Sequence, residues 1–174
     1  MRILMTAASR HEATNEIAKV LADTIERAGI EVVTHRPEEV GHLGSYDAVV
    51  LGSAVYAGHW LPAAKDLVER TSTRMATMPV WLFSTGPVGD SLKPEGLSAD
   101  VGPMMELSGA REHRLFGGRL DRRQLGFAEK AVVRMVGAAD GDYRPWAEIE
   151  AWGEEIASTL KAATPAGAGV TGAS

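Results

Sequence analysis

Short apolar runs and longer apolar-periodic stretches take turns along this chain. Residues 2–6, Arg-Ile-Leu-Met-Thr, make an apolar run of strand length. Small and polar residues follow. Then Ile17, Val20, Leu21, Ile25 and Ala28 recur at helical spacing with charges between them, and Gly29 stands where a helix C-terminus places it. Residues 30–33 read as a second strand and 41–45 as a loop. Residues 47–52 read as a third strand, apolar at successive positions as in a strand covered on both faces. A helix is predicted over 61–74 and a fourth strand over 79–84. A polar, glycine-rich stretch occupies 85–102, and 113–117 make a weaker fifth strand. Two helical patterns close the chain: Leu125, Ala128, Val132, Met135 and Val136, then Trp146, Ile149, Trp152, Ile156 and Leu160. Strands alternating with helices over short links predict an α/β domain, a parallel sheet with helices on both faces. It should span residues 1–163, with 164–174 as a frayed tail of small residues.

Composition narrows the chemistry. The 174 residues are 45% apolar and 24% charged, as in an ordinary globular protein of one domain. No apolar run approaches the roughly 18 residues of a membrane span, and the start does not read as a secretory signal. With no cysteine, disulfides, thiolate metal sites and cysteine nucleophiles are excluded; this suits a reducing interior, and the expected location is cytoplasmic. A net charge of −5 argues against broad nucleic-acid binding. No G-x-S-x-G hydrolase elbow is present, no Walker loop or G-x-G-x-x-G follows the first strand, and the five histidines are too scattered to suggest a metal site. A receiver domain shares the strand order, but the acidic pair it needs after strand one is missing.

In an open parallel sheet ligands sit beyond the strand C-termini, where the strand order reverses. Three loops there are unusual. After strand one, Ser9, Arg10, His11, Glu12, Ala13 and Thr14 run into a helix whose first N–H groups are unpaired; hydroxyls and positive charge beside them suit a phosphate, although Ser and Thr also simply cap helices. After strand three, Ser53, Ala54, Val55, Tyr56, Ala57, Gly58, His59 and Trp60 set two aromatics around a flexible Ala-Gly pair. Such a loop can lay backbone along a planar ligand, or the rings can pack beneath it. After strand four, Thr85, Gly86, Pro87, Val88, Gly89 and Asp90 make a bent loop with free backbone groups, suited to the edge of a heteroaromatic ring or to an ordinary turn.

With these three loops the chain resembles the flavodoxin family. The first resembles the family's phosphate loop, Ser/Thr-x-Ser/Thr-Gly-x-Thr, the second its loop along the isoalloxazine and the third its loop at the pyrimidine edge. The resemblance covers roughly residues 1–160. It implies a doubly wound five-stranded sheet of order 2-1-3-4-5, with flavin mononucleotide (FMN) held by Ser9–Thr14, Ser53–Gly58 and Thr85–Asp90. The nearest subgroup is the one that includes the bacterial menaquinone-dependent protoporphyrinogen dehydrogenases, which carry an extra helical segment after strand five. It implies an FMN-dependent oxidoreductase delivering electrons to a quinone, without an essential acid or base side chain. His59 is the nearest exception. A one-electron carrier serving a redox partner protein, and a flavin-free interaction domain, are the alternatives. The family's loop glycine is Glu12 here, a carboxylate beside the expected phosphate. Residues 111–134 hold seven Arg or Lys and three Asp or Glu. That is a solvated helix face or, through Arg119, Arg122 and Arg123, a peripheral contact with an anionic membrane surface. The fold also allows a homodimer.

Overall fold

The computed structural model describes residues 1–86, 98–120 and 141–163. Five parallel strands form the sheet: β1 (Arg2–Ala8), β2 (Glu31–His35), β3 (Ala48–Tyr56), β5 (Val80–Gly86) and β6 (Glu112–Gly117), in the order β2-β1-β3-β5-β6. These are the five expected strands in the expected order. A two-residue strand, β4 (His59–Trp60), turns back antiparallel on β3.

Successive strand residues face opposite sides, so the uninterrupted apolar runs feed two cores. Ile3, Met5, Val50, Trp81 and Phe83 pack beneath α1 (Ala13–Arg27) and α4 (Trp146–Ala163). Leu4, Val49, Leu51 and Leu82 pack beneath α2 (Pro62–Met75). The first core is an aromatic knot: the Phe83, Phe116 and Trp152 rings meet with centroids 5.6–6.2 Å apart. Gly52 makes room for it, since a Cβ there would stand 2.1 Å from the Phe83 ring. Gly153 likewise lets α4 approach α1 over Thr24.

The predicted helix over 61–74 begins one residue later, because Leu61 is its N-cap and Pro62 occupies the first turn, where a missing N–H costs nothing. The stretch expected to be loop contains α3 (Val101–Ser108), which sets Met104 against the second core. Gly102 and Pro103 hid it, being poor helix formers. After β6 a small antiparallel ribbon, β7 (Arg119–Leu120) with β8 (Gly141–Asp142), stands on the sheet's end. It is seated by Gly117, where a Cβ would lie 2.2 Å from the Tyr143 carbonyl oxygen. The helical pattern at Leu125, Ala128, Val132, Met135 and Val136 lies outside the described residues, as do Pro87, Val88, Gly89, Asp90, Arg122, Arg123 and the segment 164–174. Among the described residues no helix is long and apolar enough to cross a membrane.

Candidate functional site

Parallel register brings the C-terminal ends of β1, β3 and β5 to one edge. Ala8 pairs with Ser53, Ser53 with Ser84, and Ala54 with Thr85. The residues there, Ala8, Ser53, Ala54, Ser84 and Thr85, are small, and the described parts of the loops start from this edge.

Glu12 is the N-cap of α1 with φ 59°, ψ −15°. This is the left-handed region that a side chain pays about 1–2 kcal/mol to enter, and where the family's loop has glycine. Its carboxylate is exposed and accepts a 2.9 Å hydrogen bond from Asn15 Nδ2. Ala13 begins α1, and the first N–H groups of a helix have no partner within it. Ser9 is half-buried beside them. Thr14 is buried, and its hydroxyl shares a 2.6 Å hydrogen bond with that of Thr85. One of the two hydroxyl hydrogens is used there and the other remains to be donated. Thr14 thus ties the first loop to the third. The Arg10 guanidinium lies 4.6 Å over the Tyr56 ring, and the His11 ring is 6.3 Å from it, which ties the first loop to the second.

Ala57 and Gly58 are the two turn residues between β3 and β4, with φ 50° and 79°. Two positive φ values are what a tight two-residue hairpin requires. Ala57, Gly58 and His59 are exposed. Asp100 anchors the hairpin from α3's N-terminus. It accepts the Trp60 N–H at 2.8 Å and lies 3.3 Å from His59 Nδ1 and 3.5 Å from Lys65 Nζ. Burial raises the Asp100 carboxyl, but the Trp60 N–H, the Lys65 charge and His59 outweigh it and hold the group below the usual carboxylate range. The Gly58 carbonyl accepts the Ala99 N–H at 3.0 Å.

Trp60, one of the two aromatics flanking the Ala-Gly pair, is a core residue, 2% exposed. Its Nε1–H donates to Ser84 Oγ at 2.8 Å, and Ser84 Oγ is 2.8 Å from His113 Nε2. Ser53 is also turned inward: its hydroxyl donates to the Ala54 carbonyl at 2.9 Å and accepts the N–H of Leu61, the residue that leads into α2, at 3.0 Å. Ala54 is buried, Val55 and Tyr56 half-buried. Gly86 ends β5, where a Cβ would lie 3.3 Å from Val55 Cβ.

A cluster of charges behind the first loop has no counterpart in the sequence expectations. Glu16, in the first turn of α1, holds Arg119 at 2.9 Å and also Arg144, which grips both oxygens of Asp142 at 2.7 and 2.6 Å. Arg119, expected on a solvent-facing docking surface, is therefore half-buried in an ion pair. Only the close Asp142–Arg144 spacing hinted at part of this cluster.

A family model for the flavodoxin domain matches residues 4–144. The chain belongs to the flavodoxin domain family. Solved structures agree on the fold: an archaeal flavodoxin is 15% identical, with 92% of this chain and 99% of that one covered and a TM-score of 0.62. The flavodiiron core from Synechocystis is 16% identical, with 94% and 37% covered and a TM-score of 0.66. Protoporphyrinogen IX dehydrogenase [quinone] of Escherichia coli K12 is 34% identical over 98 residues, 55% of this chain and 52% of that protein. The chain spans about half the length of the curated relatives it matches.

The cofactor of this flavodoxin domain is FMN, and the residues present fit it. The α1 N-terminus with Ser9 and Thr14 offers phosphate donors, the nearby Glu16 carboxylate is already paired, and the exposed Ala57–Gly58 turn stands beside small residues at the ends of β1, β3 and β5. Glu12 is the one misfit. Glu12→Gly is expected to tighten FMN binding by about 0.3–1 kcal/mol, the effect of a charge at a helix end, and riboflavin binding by less. Relief of the left-handed backbone acts in the same direction on stability. Titration by flavin fluorescence quenching checks this; unchanged FMN affinity would mean that Asn15 already holds the carboxylate out of reach.

Proposed function

We propose that this flavodoxin domain is an FMN-dependent oxidoreductase that takes electrons from a reduced tetrapyrrole of the protoporphyrinogen type and passes them to a quinone. The observation that carries it is the 34% identity, over 98 residues, with the E. coli protoporphyrinogen IX dehydrogenase. The extra stretch of chain between β6 and α4 is in keeping with it, since it stands after the fifth sheet strand, where the resembled subgroup carries its additional helical segment.

FMN supplies the redox chemistry, able to exchange one electron or two. The chain's own residues do the rest. The α1 N-terminus, Ser9 and Thr14 hold the phosphate. Tyr56, with Arg10 over its ring, walls one side of the seat. The Ala57–Gly58 hairpin would lay backbone along the ring system; Asp100 and Ala99 fix its base while the turn itself stays exposed. Thr85 and Gly86, at the end of β5, would offer backbone to the ring's edge. His59 is exposed beside the hairpin and pairs with Asp100, so it positions the turn instead of serving as an obligatory acid or base.

The test is anaerobic. The FMN-reconstituted protein is mixed with protoporphyrinogen IX and a menaquinone analogue, and porphyrin fluorescence and quinol are followed. Porphyrin formed in step with quinol is the expected result. A protein that holds FMN, forms neither product and yet exchanges electrons with a partner protein would be a carrier. That second reading is favoured by the end-to-end alignment with free-standing flavodoxins.

A further inference from the structure

We propose that Arg144 is a positioning residue for the cofactor's phosphate: by neutralising Glu16 in the first turn of α1 it leaves that helix end open to a dianion, and so sets the preference for FMN over riboflavin. The proposal rests on the placement of the FMN phosphate at α1.

The partial positive charge at a helix N-terminus stabilises whichever anion reaches it. In this chain two anions compete, the phosphate and the Glu16 carboxylate carried by the helix itself. Left alone, Glu16 would take up part of that charge and repel the phosphate. It is not left alone. One carboxylate oxygen accepts Arg119 Nη1 at 2.9 Å and the other accepts Arg144 Nη1.

Arg144 is built for this place. Its side chain is 3% exposed, against 41% for Glu16 and for Asp142. Nε and Nη2 take the two oxygens of Asp142, the guanidinium lies 4.4 Å over the Trp146 ring, and Nη1 reaches, besides Glu16, the Ala13 carbonyl at 3.5 Å. The hydrogen bonds to Asp142, against the cost of burial, hold the guanidinium protonated, and the same bonds hold the Asp142 carboxyl below its usual range. Glu16, Asp142, Arg119 and Arg144 together carry no net charge. Buried as it is, Arg144 acts with little solvent screening. The planar fork matters as much as the charge, because lysine cannot grip two oxygens of one carboxylate while reaching a second. Gly117 fixes the whole arrangement by letting the Tyr143 backbone lie directly against β6.

Opposite substitutions should then move flavin preference in opposite directions. Arg144→Gln leaves one net negative charge behind the phosphate, and Glu16→Gln leaves one net positive charge. The experiment titrates FMN and riboflavin into each variant and takes the ratio of the two affinities, which cancels any general loosening of the flavin seat. Arg144→Gln is expected to lower the FMN-to-riboflavin ratio by about two- to fivefold, the size of a unit charge at a helix end. Glu16→Gln should raise it by a similar factor, and the double variant should return toward the parent. Arg144→Lys should fall between Arg144→Gln and the parent. A merely structural clamp would weaken both flavins alike, so an unchanged ratio, or one lowered by Glu16→Gln as well, overturns the proposal. If Arg144→Gln does not fold, the sign of the Glu16→Gln effect still decides. A parent protein that binds riboflavin and FMN equally would overturn the phosphate placement itself.

Discussion

Trp152→Ala is expected to destabilise the protein by about 3–5 kcal/mol, the range for removing a large aromatic from a core. Trp152 is fully buried on α4 and meets Phe83 edge-on at 6.2 Å and Phe116 at 5.6 Å. These three rings join β5, β6 and the last helix. Its indole N–H also donates to Glu112 at 3.0 Å, and Arg114 lies 5.5 Å from its ring centroid. Truncation therefore opens a cavity and strips a half-buried carboxylate of a donor. Burial raises the Glu112 carboxyl, but the Trp152 and Arg114 hydrogen bonds outweigh it and hold the group low. Trp152→Phe should cost less, because it keeps most of the ring contact and loses only the hydrogen bond and part of the volume. Urea unfolding followed by circular dichroism measures both. A loss below about 1 kcal/mol in the alanine variant would contradict a close-packed knot.

The second large effect is a loss of stability, and with it of flavin, on mild acidification. Burial pushes the His113 imidazole down to about 4 from its ordinary 6.5, with the nearby Glu112 charge only partly opposing it. A histidine kept neutral by the fold binds fewer protons folded than unfolded between those two values. Stability therefore falls as pH drops below about 6.5, and the loss is complete once pH is below about 4. Between pH 7 and 5 this amounts to about 1–2 kcal/mol, reduced toward the lower figure by the ring's partial exposure. The structural consequence is local. In the Nδ1–H tautomer His113 Nε2 accepts from Ser84, whose oxygen holds the Trp60 indole. Protonation turns that acceptor into a donor and loosens the anchor of the Ala57–Gly58 hairpin. His113→Gln should flatten the stability profile between pH 5 and 7 while leaving the further fall in more acid solution, below the usual aspartate range, where Asp100 and Asp142 take up protons. An equally steep profile in the variant would move the effect to other groups.

The strands were legible because their signal is local. Runs such as Ala48–Val49–Val50–Leu51 can only be buried on both faces, and such runs alternating with helical periods leave few topologies. The three loops were legible because parallel strands put the C-terminal ends of β1, β3 and β5 on one edge. Glu12 was legible as an oddity, but its left-handed backbone was not, since a side chain gives no sign of its own φ. The β4 hairpin was hidden inside a loop, and α3 was hidden by Gly102 and Pro103; packing of Met104 against the second core, not helix propensity, holds that helix in place.

The sequence by itself determined the main strands and helices and a parallel sheet covered on both faces, because periodicity acts over a few residues and crossover rules constrain the whole, while the strand order came from the resemblance carried by the three loops. Only the tertiary structure decided which polar groups are spent within the protein and which remain for a ligand. Ser53 and Trp60 read like the neighbouring loop residues, yet both turn inward, Ser53 to accept the Leu61 N–H and Trp60 to meet Ser84. Glu16 and Arg144 are 128 residues apart in the chain and share one hydrogen bond. No local pattern encodes such a pair. It exists because the chain returns past Gly117 to the first turn of α1, where the buried Arg144 guanidinium must find carboxylate partners.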